Sequence, residues 1–287
     1  MTAASPTRSY LYVPGNAQDK LVKALTRRAD ALILDLEDAV PLVQKDVTRA
    51  GIVEWLRQQP ADGAVALWVR VNAGSLRELD VSSLAGIPAL TGLVLAKIED
   101  AAEVARIDEM LTDAGDTESL LMPLVETASA VLDARDIARQ KRVHVLQIGE
   151  ADLAGDMGLE PGPDEAELAG ARTMVILASA AAGLEAPMGP VSAITRDLDA
   201  FRVSTERVRR QGFLGRACIH PAQVQIVHEV FTPTAGQVAR ARDVLDLIRR
   251  AEAAGSGVTL DADGRMIDPA VTRAANRVLA LAERSAG

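Results

Sequence analysis

A single cysteine, Cys218, stands in 287 residues, so no disulfide can form within the chain. It lies in an apolar stretch and reads as core rather than as a nucleophile. Aromatic residues are almost as scarce, 2% against 48% hydrophobic overall, so the core has to be built from Ala, Val, Leu and Ile. Lysine occurs only at positions 20, 23, 45, 97 and 141, and arginine carries most of the positive charge. The formal net charge of −9 argues against non-specific binding to nucleic acid or to anionic membranes, while leaving room for a local basic pocket. No apolar run approaches the ~18 residues of a membrane span. The N-terminal MTAASPTRSYLYVPG lacks the long apolar region of a signal peptide, so a soluble cytoplasmic protein is expected. The glycine fingerprint of a dinucleotide fold is missing too, since Gly155 and Gly158 precede no suitable βαβ turn.

What is present is an alternation of short apolar runs and helical periodicities. Strands are expected at Ser9–Val13, Ala31–Leu36, Val65–Val71, Gly92–Ala96, Leu120–Val125, Val143–Ile148, more weakly at Pro187–Ile194, and at Leu214–Ile219. Helical patterns follow most of them. Leu153–Leu168, with three glycines and two prolines, reads as a long polar loop, the kind that is often functional. Eight such units at this length point to an α/β fold, a TIM (β/α)₈ barrel, with an open doubly wound sheet as the alternative. The barrel is expected over 1–254. Residues 255–287 read as a C-terminal lid extension: a Gly255-Ser256-Gly257 hinge, a hairpin around Asp263-Gly264, then a helix opened by Pro269.

The polar residues favour the barrel. Asn16, Glu37, Asp38, Arg70, Asn72, Lys97, Glu126, Asp152 and His220 all fall at carboxyl ends of strands, where barrel enzymes keep their chemistry. Leu120–Val125 and Val143–Ile148 flank a helical run, so their carboxyl ends open on one side, bringing Glu126 and Asp152 to one rim. Two carboxylates there can hold a divalent cation. The blander reading makes them loop or helix N-terminal charges.

The motifs RSYLYVPGN, LILDLEDAV, VRVN, PLVET, IGEADLAGDMG, GFLGRACIHPAQV and FTP resemble, in order and spacing, the citrate lyase β-subunit-like proteins. These belong with the malyl-CoA and citramalyl-CoA lyases in the HpcH/HpaI aldolase superfamily. The resemblance runs from Arg8 to about Leu281. It implies a TIM barrel, Mg²⁺, a coenzyme A thioester as substrate, reversible carbon–carbon cleavage of a 3-hydroxyacyl-CoA, and a homotrimer or hexamer. Carried over by position, Glu126 and Asp152 are the implied Mg²⁺ ligands and Arg70 the substrate-binding arginine. The stretch Gly149, Glu150, Ala151, Asp152, Leu153 is the implied loop whose amides hold a substrate carboxylate. Asp268 is the implied C-terminal catalytic acid, and as a bare sequence feature it is also a helix N-cap. Ala96 and Ile148 depart from the proline and phenylalanine usual in this family, and the MIDPAV stretch is one residue short.

The remaining candidates are weaker. Glu37 and Asp38 are catalytic-site acceptors that could orient Arg70, Lys45 or metal-bound water, and the structural reading has Arg70 simply paired with them. Lys45 and Arg49 share a helical face and could pair with Asp38. Lys20, with Lys23 and Asn16, is a candidate for coenzyme A phosphates or a solvated helix face. His220 before Pro221 reads as a turn histidine, and Tyr10 and Tyr12 share a strand face. Two other functions stay open: an aldolase of free hydroxy-oxo acids without coenzyme A, and a non-catalytic lyase subunit.

Overall fold

A computed structural model describes residues 7–261 and 263–284 of the chain. Eight parallel strands close on themselves, each hydrogen-bonded to the next and β1 to β8. They are β1 (Ser9–Pro14), β2 (Ala31–Asp35), β3 (Ala66–Val71), β4 (Gly92–Leu95), β5 (Leu120–Val125), β6 (Gln147–Ile148), β7 (Met188–Gly189) and β8 (Gly215–Cys218). The helices around them are α1 (Gln18–Ala24), α2 (Lys45–Arg57), α3 (Ser75–Leu84), α4 (Ala101–Asp113), α5 (Ala128–Ala138), α6 (Glu150–Met157), α7 (Ala169–Ala182), α8 (Leu198–Gln211) and α9 (Pro221–Phe231).

The shortage of aromatics sets how the barrel is filled. Its interior is a layer of mostly small and branched side chains, Ala31, Ile33, Val94, Leu124 and Ala217 among them, with Tyr10, Trp68 and Met122 supplying the bulk. Every residue of β2 is buried, as expected for a parallel strand covered on both faces. Cys218 is buried with the core, as its apolar surroundings imply. The helices begin where the sequence supplies caps: Asp100 accepts from the Glu103 amide, Thr127 from Ala130 and Asp197 from Ala200. At the amino-terminal rim Arg8 donates from Nε and Nη2 to both carboxylate oxygens of Asp30, at 3.0 Å each.

Thr7–His228 form one compact unit, and the described residues from 229 onward form another. The second unit holds α10 (Ala235–Ala253), a two-stranded antiparallel hairpin of β9 (Thr259–Leu260) and β10 (Met266–Ile267), and α11 (Pro269–Arg284). Helix α10 opens on a full capping box between Thr234 and Gln237. Among the described residues no helix is long and apolar enough to cross a membrane.

Four elements differ from the sequence reading, one of them the weak seventh strand, which spans only Met188–Gly189 where Pro187–Ile194 was expected. The long loop expected at 153–168 is shortened to 158–165, because Ala166–Leu168 is a helical turn and Glu150–Met157 a helix. Its acidic residues Glu150 and Asp152 sit in the first turn, and Gly158 closes it in the left-handed conformation at φ +65°. The sixth strand shrinks to Gln147–Ile148, with Val143 keeping only an isolated bridge to Leu121. A helix at Ser75–Leu84, overlooked between the third and fourth strands, completes the third unit.

Candidate active site

The strand ends converge on a cavity of about 420 Å³ at the carboxyl-terminal mouth of the barrel. Tyr12, Arg70, Glu126 and Asp152 line it, with Leu124, Val191 and Ile219 as its apolar wall. One side of the cavity is an arginine held by acids. Arg70 projects from β3 beside Asp35 of β2, its register partner. Asp35 grips it bidentately, Nε to Oδ1 at 2.7 Å and Nη2 to Oδ2 at 2.6 Å. Nη1 lies 2.8 Å from Glu37 Oε2 but off the hydrogen-bonding direction, leaving that buried oxygen without a hydrogen bond. Asp38 stands farther off, at 3.6 Å. The guanidinium carbon sits 5.2 Å from the centroid of the Tyr12 ring. Burial works against the Arg70 charge, yet the hydrogen bonds and charge of Asp35 outweigh it and raise its pKa. Glu37 is pushed by burial up to about 7, against the pull of Arg70 and with the help of neighbouring Asp38.

Asp35 is a site residue that sequence reasoning missed. The signal was there: a carboxylate in an otherwise apolar strand requires a partner. Of the pairings foreseen for Glu37 and Asp38, the one with Arg70 is observed. Lys45 instead donates from Nζ to the Leu36 and Glu37 carbonyls, and Arg49 pairs with Asp80 and Asp46. Arg49 therefore makes no pair with Asp38; it is turned toward α3, the helix the sequence reading lacked.

The other side of the cavity is an acidic pair. Glu126 follows β5 and is almost fully buried, while Asp152 lies in the first turn of α6 and is exposed. Burial pushes the Glu126 carboxyl up to about 8, although the Lys97 amide and ammonium pull the other way. Gly149 makes room for it: a Cβ there would fall 2.6 Å from Glu126 Cβ and 2.7 Å from its Oε2. Between the two acids stands Lys97, Nζ 2.7 Å from Asp152 Oδ1 and 3.8 Å from Glu126 Oε1. Lys97 was placed at the rim by the sequence without a role, and Gln147 was not singled out; Gln147 accepts from the Tyr12 hydroxyl at 2.9 Å.

The stretch 149–153 needs a correction. It is the start of a helix rather than a loop, and the Leu153 amide is already donated to the Gly149 carbonyl at 3.1 Å. Leu153 is also fully buried, so it offers nothing to a ligand. The first-turn amides of Glu150, Ala151 and Asp152 are the ones a helix leaves without partners. The Glu150 carboxylate turns away to Arg172, whose Nη2 donates to its Oε2 at 2.7 Å and whose Nε reaches its Oε1.

Asn16, Lys20 and His220 are not among the residues that line the cavity. Asn16 is exposed and donates to Gln44 Oε1 at 2.9 Å. Lys20, Lys23, Arg27 and His220 line a separate depression of about 370 Å³ that shares Tyr12, Pro14 and Ile219 with the first. His220 Nδ1 accepts from the Ala222 amide, as a turn histidine does. Asp268 belongs to the second unit, where Oδ1 accepts from the Ala270 and Val271 amides at 2.8 and 3.0 Å and so caps α11.

The fold and the site define a class, a (β/α)₈ barrel with paired carboxylates and an acid-clamped arginine at its carboxyl-terminal mouth. Comparison with known proteins gives the family. The sequence profile of HpcH/HpaI aldolase/citrate lyase matches residues 8–221, and the chain belongs to that family. It is 35% identical over 280 residues to the citrate lyase subunit beta-like protein of Deinococcus radiodurans, covering 95% of this chain and 96% of that one. It is 32% identical over 282 residues to a (3S)-malyl-CoA thioesterase of Cereibacter sphaeroides, covering 98% and 96%. The crystal structure of CitE from Mycobacterium tuberculosis, in complex with magnesium, acetoacetate and coenzyme A, superposes with a TM-score of 0.79 at 27% identity. That match covers 99% of this chain and all of the other.

Proposed function

We propose that the protein is a Mg²⁺-dependent carbon–carbon lyase that cleaves a short 3-hydroxyacyl-CoA to an acyl-CoA and a 2-oxo acid, reversibly. The observation that carries this reading is one cavity bounded by Arg70 on one side and by Glu126 and Asp152 on the other. The carboxylate pair fits a divalent cation. Glu126 is buried with its charge incompletely compensated, Gly149 leaves it space, and one ammonium already reaches both acids. Two carboxylates with remaining positions for water and substrate are the usual Mg²⁺ complement, and among the described residues no third His, Cys, Asp or Glu joins them. A bound Mg²⁺ supplies Lewis acidity and neutralises charge at the oxo-acid end.

The chain's own residues do the rest. The first-turn amides of α6 face an anionic group with the positive end of a helix. Cleavage passes the proton of the 3-hydroxyl to a general base and turns that carbon into the carbonyl of the 2-oxo acid. The carbon–carbon bond pair moves onto the thioester side as an enolate, whose carbon then takes a proton to give the acyl-CoA. Arg70 is suited to that enolate oxygen: the Asp35 clamp uses two of the five guanidinium donors and fixes the plane of the fork. Lys20, which lines the basic depression, and Asn16 we retain as candidates for the coenzyme A phosphates. Asp268 we retain as a candidate acid, and a homotrimer as the assembly.

The similarity to a malyl-CoA thioesterase supports a second reading, in which water cleaves the thioester instead. The test is a panel of malyl-, citramalyl- and citryl-CoA beside free hydroxy-oxo acids, with products identified by mass spectrometry. A 2-oxo acid with a shortened acyl-CoA supports the lyase. Free coenzyme A with an intact hydroxy acid supports the hydrolase. Turnover of free acids alone supports the aldolase, and no turnover a non-catalytic subunit.

A further inference from the structure

Lys97 is placed with more care than the proposed reaction requires. It follows β4 with φ +52°, in the left-handed region where glycine fits without strain and a lysine does not. The surroundings enforce that conformation. Buried Arg77 donates from Nη2 to the Ala96 carbonyl at 2.7 Å and to the Lys97 carbonyl at 3.3 Å, and is itself held by Glu103. The Lys97 amide donates to Glu126 Oε1 at 2.7 Å. The outcome is an ammonium 2.7 Å from Asp152 and 3.8 Å from Glu126, the two groups that would hold the divalent cation.

We propose that Lys97 is a built-in counter-ion of the metal site: its ammonium bridges Glu126 and Asp152 when no cation is bound and yields Asp152 to an incoming divalent cation. The inference rests on the metal reading above. Its physical basis is competition, because two cations cannot share the same two carboxylates without repulsion. The ammonium keeps exposed Asp152 in place beside its buried partner, and in exchange it lowers the affinity for the metal. A strained lysine, where glycine would sit at ease, is explained by the need for that charge.

The test is titration of the metal-free full-length protein with MgCl₂, by calorimetry and by thermal shift, for the parent, Lys97→Gln, Lys97→Gly and Lys97→Arg. The neutral variants should bind Mg²⁺ about tenfold more tightly and show a larger Mg²⁺-induced rise in Tm, because a repelling charge has been removed. Lys97→Arg should bind like the parent. Lys97→Gly relieves the backbone strain and carries the test should the glutamine variant fold poorly. Neutral variants that bind Mg²⁺ no more tightly than a Mg²⁺-binding parent overturn this inference alone, as does an arginine variant that tightens like the neutral ones. A parent that takes up no Mg²⁺ overturns the metal reading and this inference together.

Discussion

Arg70 and Asp35 form a bidentate ion pair at the mouth of the barrel. The guanidinium is fixed along one edge by a bidentate carboxylate and backed by an aromatic face, so its geometry matters as much as its charge. Arg70→Lys keeps the charge and loses the fork; kcat/KM should fall about 10²–10³-fold. Steady-state kinetics check this, and a lysine variant close to the parent would reduce Arg70 to a simple charge. The acidic pair makes a separate prediction. Glu126→Gln should abolish Mg²⁺-dependent turnover with the fold retained. Removing a buried carboxylate whose pKa is already pushed up to about 8 costs the folded state no favourable ionisation. Circular dichroism melts beside turnover assays decide it, and full activity in that variant would remove Glu126 from the metal site.

At the scale of elements, the two ends of the barrel have different duties. The amino-terminal rim carries the Arg8–Asp30 fork, which joins the approaches to β1 and β2. Burial would raise the Asp30 pKa, but the hydrogen bonds and charge of Arg8 outweigh it and hold it below the usual 3.8. A depressed carboxylate pKa adds stability above the unfolded value and loses it as pH falls through the folded one. Asp30→Asn should therefore lower Tm at neutral pH and flatten the fall in stability below the unfolded-state value of 3.8, as read by denaturant titrations across that window. In the second unit, Asp268 caps α11 through two amides. Asparagine caps almost as well, so Asp268→Asn should leave stability within about 0.5 kcal/mol of the parent and Tm nearly unchanged. A hundredfold loss of turnover at unchanged Tm would show a proton-transfer duty beyond the cap, whereas normal turnover would leave it a cap.

At the scale of the whole molecule, most of the barrel could be read from apolar runs, because buried parallel strands such as β2 are continuous stretches of Ala, Leu and Ile. The acidic pair and Arg70 were legible because strand ends point one way in a barrel. What was not legible depends on contacts across the sheet. Asp35 becomes a clamp only through the β2–β3 register, which a linear reading of LILDLEDAV does not supply. Lys97 gains its position from Arg77, on a helix the sequence reading lacked. The start of α6 was hidden by the glycines and prolines downstream of it, and with it the fact that Leu153 has no free amide.

The central claim is that one cavity performs metal-assisted carbon–carbon cleavage of an acyl-CoA thioester. The most direct measurement follows malyl-CoA by ¹H NMR with the full-length protein, with Mg²⁺ and again with excess EDTA. The account predicts acetyl-CoA and glyoxylate in equal amounts with Mg²⁺ and neither with EDTA. Malate and free coenzyme A as the products, or cleavage that proceeds equally well in EDTA, would contradict it.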